Sequence, residues 1–214
     1  ILFMSDQFKR RKPRGVIVWD FDGVLFETGR HRLDAQEALR RIGIPAQAVL
    51  RVLPPIGKSG HFSIAKLVGG LRAQKIFISE KRIRKIFHDQ LLNGRYYSSA
   101  VDMMLHRLKK GGFLQFILSS GMSSFQYKKM FVGCNASFRG HFSKLMVTTK
   151  PKYVMLLKVR KKYPYPPMLF IDDTKSNLEL ARLYVPEIIT IYYSNVRQKS
   201  IKQLERTIVR HATK

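Results

Sequence analysis

The segment GVIVWDFDGVLFET, residues 15–28, decides the fold of this chain. Its residues 16–19, VIVW, form an unbroken apolar run rich in β-formers, which predicts a short strand buried on both faces of a parallel sheet. Asp20 and Asp22 follow this strand at positions i and i+2, and Gly23 lets the backbone turn sharply away. An ordinary turn has the same pattern. The pattern nevertheless predicts two carboxylates in the crevice at the strand's end, a place suited to a divalent cation.

Acidic residues are scarce in this chain, yet two pairs of them are placed alike. The 214 residues include 14 Asp plus Glu against 40 Lys plus Arg, and no acid occurs between Asp102 and Asp172. Asp172 and Asp173 nevertheless follow the apolar run MLFI, just as Asp20 and Asp22 follow VIVW. Close like charges at strand ends are costly unless a positive group holds them, and a bound metal is the usual remedy. The two pairs therefore predict a shared metal site.

Length and composition limit the class of protein. With 214 residues and 45% apolar residues, the chain can bury a full core. The single cysteine, Cys134, excludes an internal disulfide and fits a reducing compartment. No apolar run approaches the roughly 20 residues that span a bilayer, so we expect no membrane partner and a cytoplasmic location. The opening ILFM is too short for the apolar region of a signal peptide, and we expect Met4 to be the start.

The formal charge of +26 allows more than one interpretation. A dedicated nucleic-acid site would concentrate Lys and Arg on one face or tail, whereas the basic residues here are spread along the chain. They are therefore either a solvated basic surface or the basis of weak nucleic-acid binding. Both interpretations agree with a third effect, because a positive surface attracts anionic substrates.

Apolar periodicity divides the chain into three parts. Residues 1–14 are basic and aperiodic after Met4, and we expect a flexible leader. From residue 99 onward, helical and strand patterns alternate, which predicts a doubly wound parallel sheet. The sheet is interrupted by an all-helical stretch, which we expect to form a separate lid. Helical spacing in that stretch covers residues 30–42, 45–53, about 62–71 and 79–93.

Two further polar places lie near predicted strand or helix ends. The strand predicted at residues 113–118 continues into Ser119, Ser120 and Gly121, whose hydroxyls and backbone N–H groups can hold phosphoryl oxygens. Lys150 stands at the start of a helix predicted from residue 151, where its ammonium would lie over the same crevice. Each signal is weak alone, because Ser-Ser-Gly is a common turn and the chain has 40 basic residues.

Together and in this order, the polar places resemble the four motifs of the haloacid dehalogenase-like (HAD-like) hydrolase superfamily. The four motifs are WDFDGVL at 19–25, FILSSG at 116–121, KP at 150–151 and LFIDDTKSN at 169–177. The resemblance implies an α/β fold in which a doubly wound, Rossmann-like parallel sheet carries an inserted α-helical cap. We expect a core domain of residues 15–28 and 96–214 and a helical cap domain of residues 29–95. The strands that carry the two acidic pairs would then be neighbours.

The resemblance also implies roles for the motif residues. Asp20 would be the nucleophile that forms an aspartyl-phosphate. Asp22 would be the general acid and base, an acid that the dehalogenases of the family lack. Ser119 would hold a phosphoryl oxygen, and Lys150 would neutralise charge on the nucleophile. Ser120 and Gly121 would offer backbone N–H donors to the substrate.

Magnesium is the cofactor that the resemblance implies. Mg²⁺ would be bound by the Asp20 carboxylate, the backbone carbonyl of Asp22 and one of Asp172 and Asp173, with the choice between those two left open. Asn177 departs from the family pattern, because many relatives have an acid there.

A second departure is Lys152, where many relatives have Pro or an acid. It competes with Lys150 for the lysine role, although Lys150 fits the motif better. In the predicted lid, Lys58 and His61 lie in a loop where related caps place substrate contacts, and a solvated loop is an equal interpretation.

The expected activity is Mg²⁺-dependent hydrolysis of a small phosphate monoester by a HAD-like phosphatase. The alternatives are a phosphomutase, a phosphonate hydrolase, and a non-catalytic protein that uses its charge on nucleic acid or the ribosome.

Overall fold

The fold is described by a computed structural model for residues 12–52, 63–195 and 200–212. In these ranges the strands are β1 Gly15–Trp19, β2 Phe113–Ser120, β3 Lys144–Thr148, β4 Met168–Asp172 and β5 Ile188–Tyr192. They form one sheet in the order β3-β2-β1-β4-β5, and every neighbouring pair is parallel. The predicted α/β fold with a doubly wound parallel sheet is therefore confirmed.

Helices connect the strands, and several consecutive helices lie between β1 and β2. They are α1 Thr28–Arg41, α2 Ala46–Val52, α3 Ile64–Ala73, α4 Glu80–Asn93, α5 Ser99–Lys110, α6 Ser123–Val132, α7 Ala136–Gly140, α8 Lys152–Lys162, α9 Lys175–Tyr184 and α10 Ile201–His211. The sequence did not predict α7, a short helix whose N-cap is Asn135; the Asn135 side chain accepts a hydrogen bond from the N–H of Phe138. No helix in the described ranges is both long and apolar enough to cross a membrane.

Strand β1 is central because both of its faces are apolar. Ile17 and Trp19 belong to one hydrophobic cluster, and Val16 and Val18 belong to a second. Successive side chains of a strand point to opposite faces, so a continuous apolar run joins both layers of helices to the sheet. All five residues of the strand are buried.

The carboxyl edge of the sheet is where the strand order reverses. The chain moves outward from β1 to β2 and β3, and it then returns to the other side of β1 to form β4 and β5. Trp19 of β1 is in register with Ile171 of β4 and with Ile117 of β2. Ligands of open α/β sheets bind in the crevice at such a reversal.

Helices α1 to α4 build a third hydrophobic cluster. Its fully buried members include Leu39 of α1, Leu67 and Leu71 of α3, and Ile83 of α4. Two of these helices begin at serine N-caps: the hydroxyl of Ser63 accepts from the N–H of Lys66, and that of Ser79 accepts from the N–H of Arg82. In residues 29–52 and 63–95 the structure has helices and no strand, as the sequence predicted for the lid.

Candidate active site at the carboxyl edge of the sheet

Asp20 is the first residue after β1 and lies inside the protein. Its N–H donates to the carbonyl oxygen of Ile171 at 2.8 Å, which ties the end of β1 to β4. Its Oδ1 accepts from the N–H of Phe21 and lies 2.7 Å from Nζ of Lys152. Asp20 is 5% exposed, so its carboxylate depends on these donors rather than on water.

Asp172 is the last residue of β4 and is fully buried. Oδ1 accepts from the N–H of Thr174 at 2.7 Å, and Oδ2 accepts from Nζ of Lys152 at 2.7 Å. Nδ2 of Asn177 lies 3.1 Å from Oδ2 and 3.3 Å from Oδ1. Asn177 therefore donates to the carboxylate from the position where the family pattern has an acid.

Asp20, Asp172 and Asp173 form an acidic cluster. Each offers one carboxylate oxygen, and these oxygens lie within 4.8 Å of one another. Burial raises the pKa of Asp20 well above its usual value; the Lys152 ammonium opposes that shift. Burial and the neighbouring Asp172 also raise the pKa of Asp173. These crowded carboxylates offer hard oxygen ligands, which suit a divalent cation such as Mg²⁺. A bound cation would also relieve the repulsion between the carboxylates.

Lys152 is the lysine that contacts this cluster. Its Nζ lies between the Asp20 and Asp172 carboxylates, at 2.7 Å from each, and its side chain is 3% exposed. Burial alone would lower the pKa of Lys152, but the two carboxylates outweigh burial and raise it. The ammonium is therefore charged and bridges the ends of β1 and β4.

Lys152, rather than Lys150, therefore occupies the place beside the acidic pairs that the sequence prediction gave to a lysine, with Lys152 as the competing choice. Lys150 is exposed, and its backbone N–H donates to Oγ1 of Thr148. Pro151 is the N-cap of α8, and Lys152 is the first residue of that helix. Helical side chains tilt toward the N-terminus of their helix, so the first helical residue, rather than the residue before the cap, reaches the sheet edge.

Asp22 lies outside the acidic cluster and has its own donors. Oδ1 accepts from Oγ1 of Thr28 at 2.8 Å and from Nζ of Lys129, and Oδ2 accepts from Nε2 of Gln126 at 2.8 Å. Burial would raise the pKa of Asp22, but Lys129, together with the hydrogen bonds from Thr28 and Gln126, outweighs burial and lowers the pKa. The two aspartates of the first motif thus have separate partners.

At the end of β2, the hydroxyl of Ser119 and the N–H of Gly121 differ in whether they already have a hydrogen-bond partner. Ser119 is fully buried, and its Oγ has no hydrogen-bond partner in the described part of the chain, so this hydroxyl remains available to a ligand. Ser120 is half-buried and is the last residue of β2. The N–H of Gly121, in contrast, donates to the carbonyl oxygen of Thr148 at 3.0 Å. In this structure β3 thus already accepts from the N–H of Gly121, and donation from this N–H to a substrate stays a prediction.

Two predicted residues lie outside the described part of the chain, and three residues that contact Asp22 were not predicted. Lys58 and His61 fall outside the described ranges. Thr28, Gln126 and Lys129 were missed, although all three contact Asp22. The sequence gives one signal for them: Gln126 and Lys129 lie three residues apart on α6, the helix that follows the Ser-Ser-Gly motif.

Solved structures share this fold, although no protein-family model matches the chain and no curated protein matches it in sequence. A hydrolase from Streptococcus pneumoniae TIGR4 aligns over 93% of this chain and 100% of its own, with a TM-score of 0.60 and 17% identity. A haloacid dehalogenase-like family hydrolase from Xanthomonas campestris aligns over 95% and 98%, with a TM-score of 0.61 and 10% identity.

A third similar structure was solved with ligands. It is a HAD family enzyme from Bacteroides thetaiotaomicron in complex with magnesium and inorganic phosphate, which aligns over 89% of this chain and 98% of its own, with a TM-score of 0.58 and 18% identity. The chain therefore has the Rossmann-like fold of the haloacid dehalogenase-like hydrolases, as its four motifs predicted.

Proposed function

We propose that this protein is a Mg²⁺-dependent phosphatase that hydrolyses a small phosphate monoester through an aspartyl-phosphate on Asp20. The observation that supports this proposal most is the convergence of Asp20, Asp172 and Asp173 within 4.8 Å, beside the ammonium of Lys152. Such a cluster combines a nucleophile, ligands for a hard cation and a fixed positive charge at the carboxyl edge of the sheet.

The first chemical step would transfer the phosphoryl group to Asp20. A carboxylate oxygen of Asp20 attacks phosphorus, and the bond from phosphorus to the ester oxygen breaks. The leaving oxygen takes a proton from Asp22, so an alcohol departs. Lys152 opposes the rise in the pKa of Asp20 and directs its carboxylate, and the Ser119 hydroxyl, which has no partner among the described residues, is suited to a phosphoryl oxygen.

The second step would release phosphate. The Asp22 carboxylate takes a proton from water, the water oxygen attacks phosphorus, and the bond from phosphorus to Asp20 breaks. Asp20 is thereby restored, and Asp22 again holds the proton for the next cycle. The Asp20 and Asp172 or Asp173 carboxylates, with the backbone carbonyl of Asp22, would hold Mg²⁺, which when bound neutralises phosphoryl charge.

We also propose the division into a core of residues 15–28 and 96–214 and a helical cap of residues 29–95. The separate hydrophobic cluster of α1 to α4 supports this division, although Phe125 of α6 packs against it as well. Lys58 and His61 remain predicted substrate contacts of the cap. The cytoplasmic location also remains a prediction.

The alternatives differ in what supports them. A phosphomutase would use the same site residues, and a phosphonate hydrolase would need a lysine of the cap that forms a Schiff base with its substrate. Inorganic phosphate and magnesium in the similar Bacteroides structure favour phosphate chemistry on this fold. Weak nucleic-acid binding rests on the net charge of +26 alone.

The test of the proposed function is turnover of p-nitrophenyl phosphate with Mg²⁺ by the wild type and by Asp20→Asn. We expect the variant and EDTA-treated wild type to lose turnover, since one lacks the nucleophile and the other the cation. Asp102→Asn is the matched control, because Asp102 lies on α5 and pairs with His141. Robust turnover by Asp20→Asn would remove Asp20 from its role. For an active wild type, turnover of a panel of sugar phosphates and a phosphonate would separate a phosphatase from a phosphomutase and a phosphonate hydrolase.

A further inference from the structure

A polar cluster around Asp22 connects three segments of the chain. Thr28 at the start of α1 and Gln126 and Lys129 of α6 all donate to the Asp22 carboxylate. These contacts engage both oxygens, so they fix the rotation of the carboxylate as well as its position. Without these donors, the side chain of Asp22 could occupy more than one staggered rotamer.

Lys129 is an unusual residue for a helix that packs on a sheet. Its side chain is 4% exposed, and its Nζ lies 5.3 to 5.6 Å from the ring centroids of Phe21, Phe26 and Phe125. A buried ion pair is weak as a source of stability, because apolar residues of similar volume often serve as well or better. Stability alone therefore does not explain why a charge is buried here.

Gln126 joins the same cluster to the proposed phosphate site. Its Nε2 donates to Oδ2 of Asp22 at 2.8 Å and to the carbonyl oxygen of Ser120 at 2.9 Å. The close approach needs Gly121, because a Cβ at that position would lie 2.9 Å from Nε2 of Gln126. One side chain of α6 thus fixes the Asp22 carboxylate relative to the end of β2.

We propose that Lys129, together with Gln126, is a positioning residue that holds the Asp22 carboxylate in place for proton transfer to the leaving group. This inference rests on the proposed phosphatase function. The three donors fix the direction from which Asp22 can reach the ester oxygen, so the loss of one of them would misplace the acid.

The test compares two phosphate esters in the variant Lys129→Met, which keeps the length and the apolar stem of the side chain. p-Nitrophenyl phosphate has a leaving group that needs little protonation, whereas an alkyl phosphate has one that needs a proton from Asp22. Because general acid catalysis contributes roughly 10²–10⁴-fold, we expect kcat for the alkyl phosphate to fall about tenfold more than kcat for the aryl phosphate.

Lys128→Met is the matched control, since it changes the neighbouring lysine of the same helix, and we expect it to keep the wild-type ratio of the two rates. Lys129→Arg, which retains a cation, should recover part of that ratio. If Lys129→Met does not fold, Gln126→Leu provides the same comparison. Equal losses on both esters would overturn the inference and leave the phosphatase intact, whereas a wild type inactive on every ester would overturn the proposed function itself.

Discussion

Lys152 and Lys129 are two buried lysines of one active-site region, and they differ in the charge around them. Lys152 faces two carboxylates of a cluster of three, whereas Lys129 faces the single carboxylate of Asp22 and three aromatic rings. The first network keeps a surplus of negative charge and can take up a cation. The second is balanced, so it has no need of a metal and can only orient its acid. Equal burial thus accompanies different chemistry.

The largest effect is expected from Lys152→Met, which would leave the Asp20 and Asp172 carboxylates buried without their shared cation. Removing one partner of a buried ion pair costs about 3–5 kcal/mol, and loss of a charge-stabilising group at a reacting centre costs about 10²–10³ in kcat. We expect both losses, measured as urea unfolding in EDTA and as phosphatase turnover.

Lys150→Met is the control that separates the two lysines of the motif. Lys150 is exposed, so we expect its unfolding free energy to stay within about 0.5 kcal/mol of the wild type. If Lys150→Met were inactive and Lys152→Met active, the motif assignment would be right, and the ion pairs of Lys152 would serve another purpose.

The sheet and its acidic edge could be predicted because both are fixed locally. An apolar run specifies a buried strand, and the residues that follow it must emerge at the strand's end. The placement of Asp20 and Asp172 at this edge could be predicted from these rules and from the alternation of helices and strands, which indicates a parallel sheet. The family resemblance, rather than these local rules, implied that the strands carrying them are neighbours, and the order of β1 and β4 confirms it.

The missed details depend on contacts between distant parts of the chain. Lys128 and Lys129 are adjacent, and the rotation of α6 about its axis decides which of them is buried. That rotation depends on packing against α4 and β3, which sequence spacing does not reveal. Likewise, the N–H of Gly121 is engaged because of the register between β2 and β3.

A smaller effect is expected at His31, a residue beside the Lys129 network. His31 is 5% exposed among the rings of Phe26 and Tyr96, and burial, reinforced by Lys129, lowers its pKa to about 4. The unfolded chain, with a pKa near 6.5, therefore binds more protons between about pH 6.5 and pH 4. Stability should fall as pH falls through this window, by about 3 kcal/mol at most from His31.

The measurement is urea unfolding of the wild type and His31→Phe at pH 7.5 and pH 4.5. Phenylalanine cannot take up a proton, so we expect the variant to lose about 2–3 kcal/mol less between the two values. His106→Phe, which changes an exposed histidine, is the matched control. Identical pH dependence in His31→Phe and the wild type would mean that His31 is not buried in its neutral form.

The smallest effect on stability is expected at Gly23, which follows Asp22 in the chain and touches the other network through Asp173. Its φ is +77°, and a Cβ there would lie 2.1 Å from Oδ2 of Asp173. Gly23→Ala should therefore cost about 1–2 kcal/mol through the backbone and displace that carboxylate.

Gly43→Ala is the matched control for Gly23→Ala, because Gly43 has a φ of +89° and no atom within 4 Å of the added methyl group. Both variants carry similar backbone strain, but Gly23→Ala alone should need more Mg²⁺, both for half-maximal turnover and for the rise in melting temperature on Mg²⁺ addition. Equal Mg²⁺ dependence in the two variants would exclude Asp173 as a ligand in the position described. The cation would then depend on Asp20 and Asp172, the two carboxylates that Lys152 already bridges.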